Sequence, residues 1–131
     1  MHRLFLSFAL ILSALASHAA PLSGSNFEKY TTGKTLYFRE NGQVYGAERY
    51  LPGRRVEWSF LDGQCKQGEW YEQNGAICFV YEDRPEPQCW EFEKTSTGLR
   101  ATFLGGSQNT ELYEAEQIDE PLHCVGPQIG V

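Results

Sequence analysis

The chain has 131 residues, and its 11 lysines and arginines against 17 aspartates and glutamates give a net charge of −6. This length predicts one domain, which buries about two thirds of its unfolded surface and so forms a core. The acidity excludes nucleic acid and anionic membrane surfaces as favoured partners, because both carry negative charge.

Residues 1–19 have the layout of a secretory signal peptide. A basic start is followed by an apolar run over residues 4–16 and by Ser17-His18-Ala19, which places small residues three and one before a cut. We expect cleavage after Ala19. The apolar run is about 13 residues long, and a membrane-spanning helix needs ~20, so we expect no membrane insertion after cleavage.

Cleavage leaves residues 20–131, which we predict to be a single disulfide-stabilised β-domain with 10 basic and 17 acidic residues, a net charge of −7. All four cysteines lie in this domain: Cys65, Cys78, Cys89 and Cys124. An even number in a small exported domain predicts two disulfides, each stabilising by roughly 2–4 kcal/mol. We therefore expect a periplasmic or secreted protein.

The start of this domain predicts a short helical turn. Ser25 or Asn26 is placed to cap it, and it runs through Tyr30 until Gly33 ends it. A helix this short is unstable alone, so we expect it to lie across one end of a sheet.

Turn signals divide the rest of the chain into strands. They are Asn41-Gly42, Pro52-Gly53, Asp62-Gly63, Asn74-Gly75, Thr97-Gly98 and Gly105-Gly106. Their spacing of about 8–12 residues is typical of an up-and-down β-meander. The predicted strands are residues 34–40, 43–50, 55–61, 64–73, 76–82, 88–95, 98–104 and 110–116. The last also fits an amphipathic helix, and we favour the strand. The fold prediction is all-β: an antiparallel meander of about eight strands, as a small barrel or a sandwich.

The strands beside Asn74-Gly75 predict an aromatic face. A two-residue turn there pairs Trp70 with Phe79 and Gly68 with Tyr81. A loop over residues 83–88 then pairs Phe79 with Phe92 and Tyr81 with Trp90. Opposite residues share a face, so five rings lie together: Trp70, Phe79, Tyr81, Trp90 and Phe92. We expect these rings to fill the interior, although eight-stranded barrels also hold ligands.

The preceding hairpin conflicts with this register. A two-residue turn at Asp62-Gly63 places Trp58 on the face opposite to Trp70. Because a one-residue slip reverses the faces, we predict a β-bulge near Gln67-Gly68 or a three-residue turn at Asp62.

Register also bears on the disulfides, of which three pairings are open. Cys78 and Cys89 lie about four residues out of register under the pairing above, whereas Cys65 and Cys89 lie at the same end of three strands. We favour Cys65–Cys89 with Cys78–Cys124, which needs a bend at the strand ends to satisfy the Cα limit of about 7 Å.

Several motifs resemble those of a group of small exported bacterial proteins of unknown function. They are the Gly33-Lys34-Thr35 start, Gly68-Glu69-Trp70, Cys78-Phe79 and Cys89-Trp90. The resemblance implies an all-β domain and brings no activity with it.

No residue pattern favours catalysis, and we assign no catalytic, cofactor-binding or metal-binding residue. A catalytic triad would need His123, the one histidine after the cleavage site, which we expect to be an exposed tail residue. Gly33-Lys34-Thr35 lacks the rest of a phosphate loop, and zinc sites need closely paired Cys or His ligands. Carboxylate pairs for glycoside hydrolysis arise by chance among 17 acids. The candidates are Glu69, Glu72, Glu82, Glu91 and Glu93.

Three functional hypotheses follow. The first is a non-enzymatic binding domain whose partner is a protein, such as a basic secreted hydrolase that it inhibits, or an envelope component. The second is a small-molecule-binding barrel, which requires an open apolar cavity of about 300 Å3 or more. The third is a small hydrolase, which requires two converging acids, one with a raised pKa.

Overall fold

The computed structural model describes residues 20–106, 110–118 and 120–124, so the predicted signal peptide lies outside the described residues. The described elements are α1 Gly24–Thr31, β1 Thr35–Glu40, β2 Gln43–Leu51, β3 Arg55–Ser59, β4 Lys66–Gln73, β5 Ala76–Tyr81, β6 Arg84–Thr95, β7 Gly98–Phe103 and β8 Glu111–Ile118. Each strand pairs antiparallel with the next, and β8 pairs with β1, so the sheet closes into a barrel. The all-β meander is confirmed, as a barrel and not a sandwich.

The short helix and the eight strands lie where they are predicted, with shifts at their ends. Helix α1 begins two or three residues earlier than expected, because the Ser23 hydroxyl accepts from the Asn26 amide at 3.2 Å. Ser23 is therefore the cap, and the choice of Ser25 or Asn26 is wrong. The last segment is a strand, as favoured.

The register at Asn74-Gly75 is confirmed. Both residues have positive φ, 52° and 77°, as a two-residue hairpin turn requires. Trp70 lies opposite Phe79, and Gly68 lies opposite Tyr81.

The register between β5 and β6 is wrong. The predicted loop over residues 83–88 does not form, since β6 begins at Arg84 after a turn of only two residues. Phe79 therefore lies opposite Gln88, and Trp90 lies opposite Ile77. The slip from the predicted pairing is four residues, an even number, so every side chain keeps its predicted face.

This register also overturns the favoured disulfides. Cys78 and Cys89 lie directly opposite each other on β5 and β6 and are bonded. The second disulfide joins Cys65, just before β4, to Cys124 in the C-terminal tail. Two disulfides are typical of an oxidising, extracytoplasmic environment.

The conflict at Asp62-Gly63 is resolved in the loop and not in the strand. Residues 60–65 form a six-residue connection, and β4 then pairs with β3 without a register shift. Trp58 lies opposite Lys66 and on the same face as Trp70, so the predicted bulge at Gln67-Gly68 is wrong. The longer loop shifts the register of β4 by one residue, which is the shift that the predicted bulge would have made.

Helix α1 closes one end of the barrel through Phe27, which is fully buried. The Phe27 ring lies 4.5 Å from Phe92, 5.1 Å from Trp70 and 5.5 Å from Tyr50, measured between centroids. We call this the closed end; it carries the β2–β3, β4–β5 and β6–β7 turns. The opposite end, with the β1–β2, β3–β4, β5–β6 and β7–β8 connections, is the open end.

Polar contacts fix the helix in this position. The Arg54 guanidinium donates to Glu28 at 2.9 Å, and the Tyr30 hydroxyl donates to Glu114 at 2.7 Å. The amide of Leu22 donates to the carbonyl of Phe92 at 2.7 Å. In the part of the chain that the structure describes, no helix is long and apolar enough to cross a membrane.

We expect Phe27→Ala to lower the free energy of unfolding by about 3–5 kcal/mol, because it removes a ring packed among other rings. Lys29→Ala, at an exposed position of the same helix, should change it by about 0.5 kcal/mol or less. Urea unfolding followed by circular dichroism measures both. Equal effects of the two substitutions would contradict the role of Phe27.

The two disulfides should differ in their effect on stability. Their sequence separations are 59 for Cys65–Cys124 and 11 for Cys78–Cys89. The chain-entropy relation then predicts losses of about 4 and about 3 kcal/mol when each pair is replaced by serines. Mass mapping of a non-reduced digest tests the pairing directly, and a peptide joining Cys65 to Cys89 would contradict it.

Candidate functional site: the barrel cavity

A cavity of about 450 Å3 occupies the barrel interior between the Phe27 contacts and the open end. Its wall carries nine aromatic rings: Phe38, Tyr45, Tyr50, Trp58, Phe60, Phe79, Tyr81, Trp90 and Phe92. Its polar groups are Glu48, Lys66, Asp83, Arg84 and Gln88. The expectation that aromatic rings fill the whole interior is therefore wrong.

Two inward-facing glycines explain how large rings leave this space open. A Cβ at Gly68 would lie 2.7 Å from Cδ1 of Tyr81 and 2.7 Å from the carbonyl oxygen of Val80. A Cβ at Gly46 would meet the Trp58 indole in the same way. Both rings therefore lie over bare backbone against the wall, and the centre of the barrel stays unfilled.

Glu48 is the deeply buried charged group of this wall. It is 2% exposed, and β2 places it opposite Leu36 on one side and Trp58 on the other. The Tyr81 hydroxyl donates to it, 2.8 Å from Oε1 and 3.1 Å from Oε2. Burial raises the pKa of Glu48 to about 8, against the lowering effect of that hydrogen bond. Glu48 is thus mainly protonated at neutral pH.

The tyrosines near Glu48 stay protonated. Burial, and then the charge of Glu48, raise the pKa of Tyr81 and Tyr50 well above the usual value for tyrosine. Both hydroxyls therefore keep their protons, and that of Tyr81 donates to the Glu48 carboxyl group.

Three rings form the rim aromatic group, Tyr45, Trp58 and Phe60, on the side of the open end. Their centroids lie 5.3–5.8 Å apart. Beside them the Lys66 ammonium lies 5.5 Å from the centroid of the Phe60 ring and pairs with Asp83 at 2.7 Å. This hydrogen bond lowers the pKa of the exposed Asp83 carboxyl. The mouth therefore combines aromatic surface with a surface ion pair.

The acids named from the sequence lie elsewhere. None of Glu69, Glu72, Glu82, Glu91 and Glu93 is among the residues that line the cavity. Glu72 accepts from the amide of Gly24 at the start of α1, and Glu93 pairs with Arg100 at 2.5 Å. These two carboxylates have structural partners at the closed end and on the outer wall.

The other residues weighed from the sequence are also outside the cavity. His123 is exposed in the tail, as expected, and Thr35 of the Gly-Lys-Thr motif begins a strand. Cys65, Cys124 and Glu57 bring three ligand-type atoms within 4.8 Å of one another. Two of these atoms are the bonded sulfurs of a disulfide, which lack the thiolate charge that binds metals.

Sequence reasoning missed Glu48, and the cause is a β-bulge. Without a bulge, a two-residue turn at Asn41-Gly42 would pair Leu36 with Ala47 and would turn Glu48 outward. The register shifts by one residue between Phe38 and Arg39, which pairs Leu36 with Glu48 and turns the carboxyl inward. The turn between β2 and β3 offered a signal for the inward position of Glu48. A three-residue turn there pairs Glu48 with Trp58, so the two side chains share a face.

Comparison of the chain with protein-family models, with curated proteins and with solved structures finds no match. The resemblance to small exported bacterial proteins stays a prediction. Function is therefore argued from the geometry of the cavity.

The raised pKa of Glu48 predicts that stability falls as the pH rises. Between about pH 4.5 and pH 8 the folded protein keeps a proton that the unfolded chain releases. The stabilisation is complete below this window and is lost through it, by up to about 1.4 kcal/mol per pH unit. Glu48→Gln, which cannot titrate, should flatten this decline.

Urea unfolding at pH 5, 6, 7 and 8 measures the effect, with Glu69→Gln on the exposed outer wall as the matched control. The control should follow the wild-type curve. Parallel curves for wild type and Glu48→Gln would show that Glu48 is ionised in the folded protein throughout this range.

Proposed function

We propose that the protein binds a small organic molecule in the barrel cavity, without catalysis, in the periplasm or outside the cell. The observation that carries the proposal is a cavity of about 450 Å3 with nine aromatic rings in its wall, closed at one end by α1 and open at the other. Small-molecule sites usually measure about 300–1,000 Å3. The cavity exceeds the roughly 300 Å3 that this hypothesis requires.

The chemistry of the wall supports the same proposal. Small-molecule sites are lined mainly by apolar and aromatic side chains with a few polar groups that fix orientation. Here nine rings surround one deep carboxyl and one deep hydroxyl, those of Glu48 and Tyr81. A ligand would gain affinity from the rings and orientation from these two groups.

The frame supports binding without large rearrangement. The barrel is closed, and disulfides join β5 to β6 and the tail to the start of β4. A preformed cavity lowers the entropic cost of ordering the site around a ligand. The disulfides also favour an exported location.

A protein partner is the second candidate, because apolar side chains are exposed at the open end. Val44 is 56% exposed, Phe60 50%, Leu104 46% and Leu61 43%; Val44 lies at the start of β2, and the others lie in the β3–β4 and β7–β8 connections. Exposed apolar patches mark interaction sites in soluble proteins. These residues suit docking at the mouth, with or without a ligand inside.

Hydrolysis ranks third. The two acids of the cavity wall are Glu48, with a raised pKa, and Asp83, with a lowered pKa. Opposed pKa values are typical of acid–base pairs. Asp83, however, is exposed at the rim and paired with Lys66, whereas Glu48 lies deep in the barrel.

Titration with N-phenyl-1-naphthylamine tests the proposal, because this uncharged probe brightens when it leaves water. We expect one probe per chain with micromolar affinity. Ala101→Trp places a large ring in the cavity and should weaken binding by roughly tenfold or more. Ala115→Trp, exposed on β8, should leave binding unchanged.

Two outcomes would overturn the proposal. One is a wild-type protein that takes up no probe. The other is an Ala101→Trp variant that is folded by circular dichroism and binds the probe as tightly as the wild type does.

A further inference from the structure

The cavity contains a buried acid, Glu48, for which the described residues supply no cation. Among residues 20–106, 110–118 and 120–124, the ion pairs join Arg54 to Glu28, Lys66 to Asp83 and Arg100 to Glu93. Within the same residues, Glu48 receives its hydrogen bonds from one group, the Tyr81 hydroxyl. One hydroxyl proton is shared between two carboxyl oxygens, so most of their acceptor capacity faces the cavity unused.

The charged and titratable groups that share the cavity do not compensate Glu48. They are Tyr45 and Tyr50 from β2, Lys66 from β4, Tyr81 from β5, Asp83 from the β5–β6 turn and Arg84 from β6. Burial and the Tyr81 hydrogen bond determine the pKa of Glu48, and neither Lys66 nor Arg84 contributes to it. The deep part of the cavity is therefore electrostatically open to a positive group.

Aromatic side chains lie near the same position. Trp58 lies directly opposite Glu48 on the neighbouring strand, and its ring lies 5.7 Å from that of Tyr45. The Tyr81 ring carries the hydroxyl that donates to Glu48. The faces of Trp and Tyr rings attract cations, most strongly when both are desolvated.

We infer that the ligand is a small organic cation, an ammonium group on an aromatic or apolar body, with the ammonium bound by Glu48 and the body packed among the rings. This inference rests on the proposed small-molecule function. An ammonium group supplies the donors that the Glu48 oxygens lack and a charge that the ring faces favour. A carboxylate ligand would meet repulsion from the ring faces, and from Glu48 wherever Glu48 is ionised.

Binding of such a cation changes the protonation of Glu48. The free protein holds a proton on this carboxyl, and the complex pairs a carboxylate with an ammonium. One proton therefore passes from Glu48 to the solvent for each ligand bound, and no covalent bond between ligand and protein forms or breaks. Affinity for the cation then rises with pH until Glu48 is ionised in the free protein.

Three ligands with one body and different head groups test the inference: 2-(1-naphthyl)ethylamine, 2-(1-naphthyl)ethanol and 3-(1-naphthyl)propionate. Displacement of the fluorescent probe N-phenyl-1-naphthylamine gives the affinity of each ligand. Calorimetry in two buffers of different ionisation enthalpy gives the number of protons released on binding. At pH 8 we expect the amine to bind roughly tenfold or more tightly than the alcohol, with the acid weakest. Between pH 8 and pH 6 the affinity of the amine should fall by up to about tenfold per pH unit, and that of the alcohol should stay level.

Two carboxyl variants separate the deep acid of the cavity from an acid on the outer wall. Glu48→Gln should remove the preference for the amine and its pH dependence while keeping affinity for the alcohol. Glu69→Gln, at an exposed acid of the outer wall, should keep both the amine preference and its pH dependence. Proton release by the wild type, about one per amine near pH 7 and none per alcohol, gives the same answer without any variant.

The outcomes distinguish this inference from the proposed function. Equal affinity of the wild type for amine and alcohol would overturn the inference, as would an amine preference that survives in Glu48→Gln or binding of the amine without proton release. In these cases the cavity still binds a small molecule. A wild-type protein that binds neither the probe nor any of the three ligands would overturn both.

Discussion

The cavity depends on the packing of Phe27 into the closed end of the barrel. Phe27 meets the rings of Tyr50, Trp70, Phe79 and Phe92, so the rings near that end form one dense cluster. Without this helix residue, the strands would need those rings to close the end themselves. Because α1 seals it, the rings nearer the open end can lie against the wall and surround a space.

The fold could be predicted from the sequence because its signals are local. Asn74-Gly75 specifies its hairpin by turn chemistry alone, and the register that follows is correct. The β5–β6 register is wrong because Pro85 and Pro87 suggest a loop where the strand continues. The aromatic face survives this error, since a slip of four residues preserves the alternation of faces. The predicted disulfide pairing is wrong for the same reason, because a disulfide requires the correct opposite residue and not only the correct face.

The candidate site was less predictable, since it depends on features that act between strands. Glu48 points inward only because the β1–β2 pairing shifts by one residue at Phe38. The cavity is open only because Gly46 and Gly68 lie beneath the rings of Trp58 and Tyr81. Neither feature can be recognised from the sequence of one strand. A glycine inside a strand indicates only a weaker strand until the residue opposite it is known.

Glu48 also violates the rule that barrel interiors are apolar, and its setting indicates why this violation is informative. A buried carboxyl group without a cation costs stability whenever it ionises, as its raised pKa reflects. An apolar residue at position 48 would avoid that cost. Departures from local rules that weaken the fold are expected at functional sites. Among the described residues, Glu48 is the only deeply buried acid, and it lies in the barrel cavity against the only hydroxyl that donates to it. Because Glu48 lies in the cavity, we attribute the stability that its burial costs to its role in binding a ligand.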